Sequence, residues 1–296
     1  MAAARRNAGA RAAAAPLFLL LLLAAGRSLA AAMTLPDQSA RAVWFRDAVR
    51  GRSPAFREAT RTWTCPPPTA TGGACDLCGD SWSGNWQHLS CRGGSTGWGE
   101  SSDGRLDGVL NSLHTTSVNL DGALPREMCV LKDLRQLDVG GRKGAGRFVG
   151  PIEDWVATCF PAMEELDLSM HRLTGTIPPA LAGHPLLSEL KLEGNNLVGT
   201  IPPEFGGMRR LRRFQVEYND LEGGVPMSFA NETTSRQLTQ LHLAGNRLSG
   251  DLRALAGARL FTATVHDNPG LCGMVPAGVR YAAGYNPAGT RLGQPC

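Results

Sequence analysis

The 296-residue sequence has little that would hold it in a membrane or on a polyanion. Its longest unbroken apolar run, Leu17 to Ala25, is nine residues, whereas a helix needs about 20 to cross a bilayer. No second long apolar stretch follows, and the chain ends polar at Gln294-Pro295-Cys296. Cationic excess is also slight. The formal net charge is +4, and the first thirty residues carry Arg5, Arg6, Arg11 and Arg27 with no acid, so without them the charge falls to zero. Nucleic-acid binding draws its sequence-independent affinity from clustered Lys and Arg, so no nucleic-acid partner is expected. Aromatics make up 6% of the chain, with three tyrosines. Missing as well is any nucleophile, base and orienter at a recognisable spacing; the chain is read as a non-enzyme without a cofactor or resident metal.

What is present begins with an export signal. Three arginines, the nine-residue apolar run and Ser28-Leu29-Ala30 have the order of a secretory signal peptide. Residues 1–30 are expected to be removed, leaving a secreted chain without a transmembrane segment. An uncleaved signal anchor, which would keep the protein on a membrane, is the alternative. All eight cysteines, Cys65, Cys75, Cys78, Cys91, Cys129, Cys159, Cys272 and Cys296, lie beyond the signal, and an even number in an exported chain favours disulfides. Asn231-Glu232-Thr233 is a glycosylation sequon.

The strongest feature is self-similarity. Leu187-Ser-Glu-Leu190-Lys-Leu192-Glu-Gly-Asn195-Asn-Leu197-Val-Gly199-Thr-Ile201-Pro202 repeats 24 residues on as Leu211-Arg-Arg-Phe214-Gln-Val216-Glu-Tyr-Asn219-Asp-Leu221-Glu-Gly223-Gly-Val225-Pro226. The same frame fits Leu110, Leu134, Met163 and Leu238, with a degenerate unit at Leu260; the spacings are 24, 29, 24, 24, 27 and 22. Within a unit, positions one, four and six alternate as a short strand requires, so Leu187, Leu190 and Leu192 point inward and Glu189, Lys191 and Glu193 outward. One coil cannot bury its apolar edge alone, but stacked coils can, pairing their strands as a parallel sheet. Asn195, Asn219, Asn246 and Asn268 recur where an amide can satisfy the backbone of a tight inward bend, and should form a ladder. Gly199, Gly223 and Gly250 permit a second bend, after which Pro178, Pro202 and Pro226 open an irregular convex side. Val118 and His171 stand where asparagine belongs, Glu153 and Arg253 where proline belongs, and four extra residues separate Val139 from Phe148; the first three units should stack less regularly.

The unit L-x-x-L-x-L-x-x-N-x-L-x-G-x-I-P resembles the plant-type extracellular leucine-rich repeats of receptor-like kinases and polygalacturonase-inhibiting proteins, here without a kinase domain. A parallel β-helix is the other architecture that a short apolar repeat allows. The resemblance implies an α/β repeat solenoid: a curved right-handed superhelix with a parallel sheet on its concave face and disulfide-bonded caps. Residues 1–30 would be signal, 31–109 an N-terminal helical and cysteine cap, 110–271 about seven repeats, and 272–296 a C-terminal cap.

An open solenoid needs covered ends. Thr34-Leu35-Pro36-Asp37 reads as a capping box before a short helix to about Val49. Trp63 and the segment from Cys78 through Trp82 and Trp86 to Cys91 resemble the family's N-terminal cap, though His88-Leu89 replaces its usual Gly-Val. Four cysteines there allow three connectivities, of which Cys78 with Cys91 and Cys65 with Cys75 is preferred. Cys129 and Cys159 precede successive repeat starts by five and four residues, which places them on adjacent coils within disulfide reach. Asn268-Pro269-Gly270-Leu271-Cys272 resembles the family's closing motif, implying a bridge from Cys272 to Cys296. The rival for the first cap is zinc, since Cys75, Cys78, His88 and Cys91 include ligand types in a plausible order; export favours disulfides.

The outward row is the expected partner-binding face: Gln136, Asp138, Glu165, Asp167, Glu189, Lys191, Glu193, Arg213, Gln215, Glu217, Gln240 and His242. It is acidic with scattered cations and has only Tyr218 as a nearby aromatic, which points to a polar interface. Asp138 and Asp167 share that face but have nothing to exclude water from them, so a solvated row is the better reading than paired catalytic acids. Gly140 to Arg147 forms a glycine-rich insertion whose Arg142, Lys143 and Arg147 would stand at the rim, floppy or in contact with an anionic ligand. Asn231 falls on the convex back, where a glycan would leave the concave face free. The expected function is therefore extracellular recognition of a protein or cell-wall polysaccharide, at the cell surface or in the wall, signalling, if it signals, through a membrane co-receptor. The alternatives are a structural wall or matrix glycoprotein and, less favoured, a secreted hydrolase or metal enzyme.

Overall fold

The computed structural model describes residues 89–91, 110–114, 121–132, 134–141, 147–230 and 237–296. The expected signal peptide, the helix before Val49, and Cys65, Cys75 and Cys78 lie outside the described residues, as do Arg142, Lys143 and Asn231. Of Cys91 and Arg147 the backbone alone is described.

Alternation over three residues is enough to build the concave sheet because each strand is supported by a neighbour in the same register. Strands β1 (Leu89–Cys91), β2 (Leu110–His114), β4 (Gln136–Asp138), β6 (Glu165–Asp167), β8 (Glu189–Lys191), β10 (Arg213–Gln215), β12 (Gln240–His242) and β14 (Thr262–Thr264) lie side by side in that order. All neighbours are parallel except β1, which runs antiparallel to β2. The central residue of each repeat strand from β4 onward, Leu137, Leu166, Leu190, Phe214, Leu241 and Ala263, is buried, and the residues on either side of it are half-buried on the outer face. Fully burying a leucine or phenylalanine contributes about 1.5–3 kcal/mol, so the coil-by-coil stacking of these side chains is the main cohesive force. Phe205, Phe214 and Phe229 extend it across the interior, with ring centroids 5.4 and 6.1 Å apart.

The far side is more ordered than the sequence suggests. The segments after the asparagines form further parallel strands: β3 (Asp121–Gly122), β5 (Arg147–Pro151) and β7 (Arg172–Thr174) in one sheet, and β9 (Val198–Thr200), β11 (Asp220–Gly223), β13 (Arg247–Gly250), β15 (Gly270–Gly273) and β16 (Arg291–Leu292) in another. Gly199, Gly223 and Gly250 have φ of 79°, 75° and 76°, a left-handed bend open to glycine without strain. The chain then turns through short 3-10 helices, Pro179–Gly183, Pro203–Gly207 and Met227–Ala230 among them. Pro178 and Pro202 are themselves extended, each held so by the second proline that follows it and opens the turn, consistent with proline's fixed φ and missing N–H. The helical part of the described solenoid is thus mostly 3-10. Its two α-helical turns are α1 (Trp155–Thr158) and α2 (Ala277–Arg280). The concave sheet runs unbroken from β4 through β6, while the sheet on the far side divides between β7 and β9.

Buried asparagines join the layers. Asn195, Asn219, Asn246 and Asn268 each accept the backbone N–H of Leu173, Leu197, Leu221 or Leu248 in the preceding coil, all at 3.0 Å. Their amides donate to carbonyls of their own coil and the one before: Asn219 Nδ2 lies 3.0 Å from both Val216 O and Leu192 O. His171 does part of this work one coil earlier, with Nε2 2.7 Å from Val139 O, but its buried Nδ1 has no partner. Two disulfides complete the described frame, Cys129–Cys159 with Cα atoms 4.9 Å apart and Cys272–Cys296 with Cα atoms 5.1 Å apart.

Candidate binding face

Parallel pairing in one register sets side chains of successive coils in rows. The first row is Gln136, Glu165, Glu189, Arg213, Gln240 and Thr262. The second is Asp138, Asp167, Lys191, Gln215, His242 and Thr264. A third row follows two residues on, where the ladder continues through Gly141 N to Ser169 O, Met170 N to Glu193 O, Gly194 N to Glu217 O, Tyr218 N to Ala244 O and Gly245 N to His266 O. It comprises Gly140, Ser169, Glu193, Glu217, Ala244 and His266. The residues expected on the outward face all fall in these rows. Ser169, Thr262, Thr264 and His266 join them, and continuing the repeat frame one unit further would have found the two threonines.

Much of the charge on this face is paired across coils. Arg213 donates to Glu189 Oε2 at 2.6 Å and through Nε to Gln240 Oε1 at 2.8 Å. Lys191 donates to Glu165 and lies 3.5 Å from Glu189 Oε2 and 3.7 Å from Asp167 Oδ2. Burial opposes the charge of Lys191, but the hydrogen bond and charge of Glu165, with Asp167 and Glu189, outweigh it and hold the amine above its usual range. Below the first row, Arg135 and Glu164 meet at 2.6 Å.

The carboxylates of the second and third rows differ among themselves. Burial pushes Asp167 up, and Asp138 opposite adds to that, while the Ser169 hydroxyl and backbone N–H, at 2.6 and 3.0 Å, pull it back. Gly140 leaves room for the Asp167–Ser169 pair, because a Cβ there would come within 2.6 Å of Asp167 Oδ1 and 2.8 Å of Ser169 Oγ. Burial raises Glu193 to about 7, with Asp167 and Glu217 adding repulsion. Glu217 is also pushed up by burial, but hydrogen bonds from His242 and Thr264 hold it below its usual range.

His242 joins two rows. Its Nδ1 is 3.2 Å from Glu217 Oε2 and 2.9 Å from Gln215 Nε2, and its Nε2 is 3.1 Å from Thr262 Oγ1. Threonine, histidine and glutamate stand here in the order of an acid–base relay, an arrangement that sequence spacing conceals because each residue comes from a different coil. Acyl transfer would also need donors aimed at a developing oxyanion. The neighbouring backbone N–H groups are committed to the ladder, Leu243 to Thr264 O and Gly245 to His266 O. Geometry therefore gives this string a part in ordering the face.

At the rim, Met170, Tyr218 and Asp267 have φ of 59°, 55° and 54°, an uncommon conformation for residues with a Cβ. The following coil carries glycine beneath each side chain. A Cβ on Gly194 would come within 2.7 Å of Met170 Sδ, on Gly245 within 2.5 Å of Tyr218 Cδ1, and on Gly289 within 2.5 Å of Asp267 Oδ1. Tyr218 is thereby set as a half-exposed ring along the edge of the polar rows.

Residues 186–208, one coil from β8 through β9 and the 3-10 turn Pro203–Gly207, match the family model for the Leucine Rich Repeat. The solenoid is of the leucine-rich-repeat kind. It resembles plant extracellular leucine-rich-repeat ectodomains. The plant peptide hormone receptor RGFR1, solved in complex with RGF2, shares 27% identity with a TM-score of 0.52 over 59% of this chain. This chain spans 27% of that receptor chain. The BIR2 ectodomain from Arabidopsis thaliana shares 26% identity with a TM-score of 0.52, covering 72% of this chain and 96% of its own. A plant ice-binding protein, at 21% identity and a TM-score of 0.51, covers 80% and 86% respectively and shares the fold. No curated protein sequence matches the chain. Among the described residues no helix is long and apolar enough to cross a membrane, and the two leucine-rich-repeat disulfides fit an oxidising compartment.

Proposed function

We propose that this protein is an exported, non-catalytic leucine-rich-repeat protein that recognises a protein, peptide or cell-wall polysaccharide on its concave face. The reading rests on one observation above the rest: three polar rows, backed by a wall of buried side chains, lie open on a sheet whose register is fixed from β4 to β14. A rigid scaffold that spends its leucines behind the sheet presents the outer side chains as its chemistry. The peptide complex of RGFR1 supports ligand binding as a use of this architecture, and the ice-binding protein is a reminder that fold alone does not choose the ligand. In this reading residues 1–30 are a cleaved signal, 31–109 and 272–296 cap the repeats, Asn231 carries a glycan, and Arg142 and Lys143 edge the face; Arg147, expected beside them, opens β5 on the far side. With no spanning helix among the described residues, signalling in this reading would run through a membrane co-receptor.

The test is capture from an extracellular extract, and binding to an array of wall polysaccharides, by the immobilised protein and by a Gln215→Ala/Tyr218→Ala variant. Saturable capture of one partner that the double variant loses supports recognition; equal capture by both proteins removes the concave face from the proposal. A second reading, a wall or matrix spacer, draws on the pairing of Lys191 and Arg213 with carboxylates of their own face. It requires retention in the wall after salt extraction and tolerance of substitutions along the rows.

A further inference from the structure

Glu193 is set apart from the other carboxylates of the face. It stands in the third row just after β8, with Asp167 and Ser169 on the coil of β6, Glu217 on the coil of β10, and Lys191 two residues before it on its own coil. Its own backbone N–H is turned on its carboxyl, but the side-chain donors around it are engaged elsewhere. Ser169 gives both its hydroxyl and its backbone N–H to Asp167. Lys191 donates to Glu165 and lies near Glu189 and Asp167. Beyond Glu217, the Thr264 hydroxyl, at 3.1 Å, and His242, at 3.2 Å, are both turned on the Glu217 carboxyl, and His266 adds its charge to Glu217 when protonated. Glu193 Oε2 is shielded from solvent and has no hydrogen-bond partner.

An ionised carboxylate set between two others, with its own backbone N–H as a donor but one oxygen left unpartnered, is costly, because it has lost water and gained repulsion at once. A protonated carboxyl in the same place loses less. Glutamate also has a flexible stem, so the alternative to protonation is a rotation towards the open side of the sheet.

We propose that Glu193 is a proton-operated switch built into the concave face: as an acid it stays tucked between Asp167 and Glu217, and on ionising it turns out to solvent or takes up a cation from outside. The face then changes by one unit of charge at its centre. The balance falls near neutrality, since burial and the two flanking carboxylates raise the group to about 7 from 4.5. If the concave face is the binding surface, a cationic group arriving over Glu193 displaces its proton, and such partners bind more tightly as pH rises. The switch itself requires no partner, so failure of the capture experiment leaves it standing.

Carbon-detected NMR of the intact protein labelled at the glutamate side chains follows the Glu193 carboxyl through a pH titration. Its resonance is assigned by through-bond correlation to the Glu193 backbone and by its loss in Glu193→Gln, so the experiment survives if that variant does not fold. The expected midpoint is near 7, moving down in Glu217→Gln because one neighbouring negative charge is gone. A Glu193 resonance titrating near 4.5, the ordinary glutamate value, or a midpoint unmoved by Glu217→Gln, overturns the switch.

Discussion

Replacing Asn219 by alanine tests whether the ladder holds the coils together or only accompanies their packing. The side chain is 8% exposed. Its Oδ1 is the acceptor for Leu197 N–H at 3.0 Å, and its Nδ2 donates to Leu192 O and Val216 O at 3.0 Å and to Glu217 O at 3.3 Å. Two of those carbonyls keep another amide: Leu192 O also receives Asn195 Nδ2, and Val216 O also receives Asn246 Nδ2, each at 3.0 Å. Truncation therefore orphans one donor, Leu197 N–H, at about 1–3 kcal/mol, and forfeits two well-formed bonds at about 0.5–1.5 kcal/mol each. The expected loss is about 3 kcal/mol, read from the urea midpoint at unchanged slope. Asn219→Asp keeps the acceptor for Leu197 but turns a second oxygen on the Leu192 and Val216 carbonyls. That aspartate should be held protonated in the fold, with its pKa raised. Its penalty should be small well below pH 4, grow as pH rises through the unfolded value of about 3.9, and reach its full size above the folded value. An alanine variant within about 1 kcal/mol of the parent, or an aspartate deficit that does not vary with pH, would refute this account.

Two further outcomes follow from the same stacking. Gly206→Ala should cost about 2–3 kcal/mol in urea unfolding, since its Cβ would lie 2.4 Å from the Ser228 carbonyl carbon on the next coil and overpacking against backbone has no cheap relief. Gly207→Ala, with nothing within 4 Å of the added carbon, should fall within about 0.5 kcal/mol of the parent. His184 is held below the usual histidine range by burial, against a backbone hydrogen bond to Val156. A base depressed in the fold gives stability that is complete above its unfolded pKa of about 6.5 and is lost as pH falls through the folded value. Melting temperatures recorded downward from pH 7.5 should therefore fall less in His184→Gln than in the parent, and parallel curves would rule out this histidine as a source of the slope.

The strands of the concave sheet were legible because one rule governs them all: an apolar residue at every second position and a start about every 24 residues. That rule also placed the outward residues and the buried asparagines, whose role depends on recurring at one point of a coil. The sheets on the far side were not legible. Val198–Thr200 and its counterparts are two to five residues long, and all but Arg172–Thr174 of those from Asp121 to Gly273 contain glycine, so they carry no useful alternation; their pairing follows from stacking forced elsewhere. His171 was visible as a departure, but not its bond to Val139 O, because nothing in a one-dimensional pattern says which substitute can reach the carbonyl an asparagine would have served. The left-handed residues Met170, Tyr218 and Asp267 were hidden for a related reason. Each is tolerated through the glycine beneath it on the following coil, a correlation across about two dozen residues.

A parallel in-register stack has an electrostatic consequence that repeats do not escape. Side chains at one position of successive coils become neighbours, so a copied acidic repeat sets like charges one strand spacing apart, about 4.8 Å. In the first two rows each acidic pair, Glu165 with Glu189 and Asp138 with Asp167, is followed by a cation: Arg213 stands opposite Glu189 and Lys191 opposite Asp167. In the third row this is not so, and Glu193 and Glu217 follow one another through Gly194 N and Glu217 O with no cation in the row between them. The two carboxyls have unlike surroundings. Thr264 and His242 supply donors to Glu217, while Glu193 Oε2 has none. The charge that a partner meets at the centre of the face is thus decided by where the repeat was copied without its counter-ion, and neutralising Glu217 should be felt first at Glu193, one coil away.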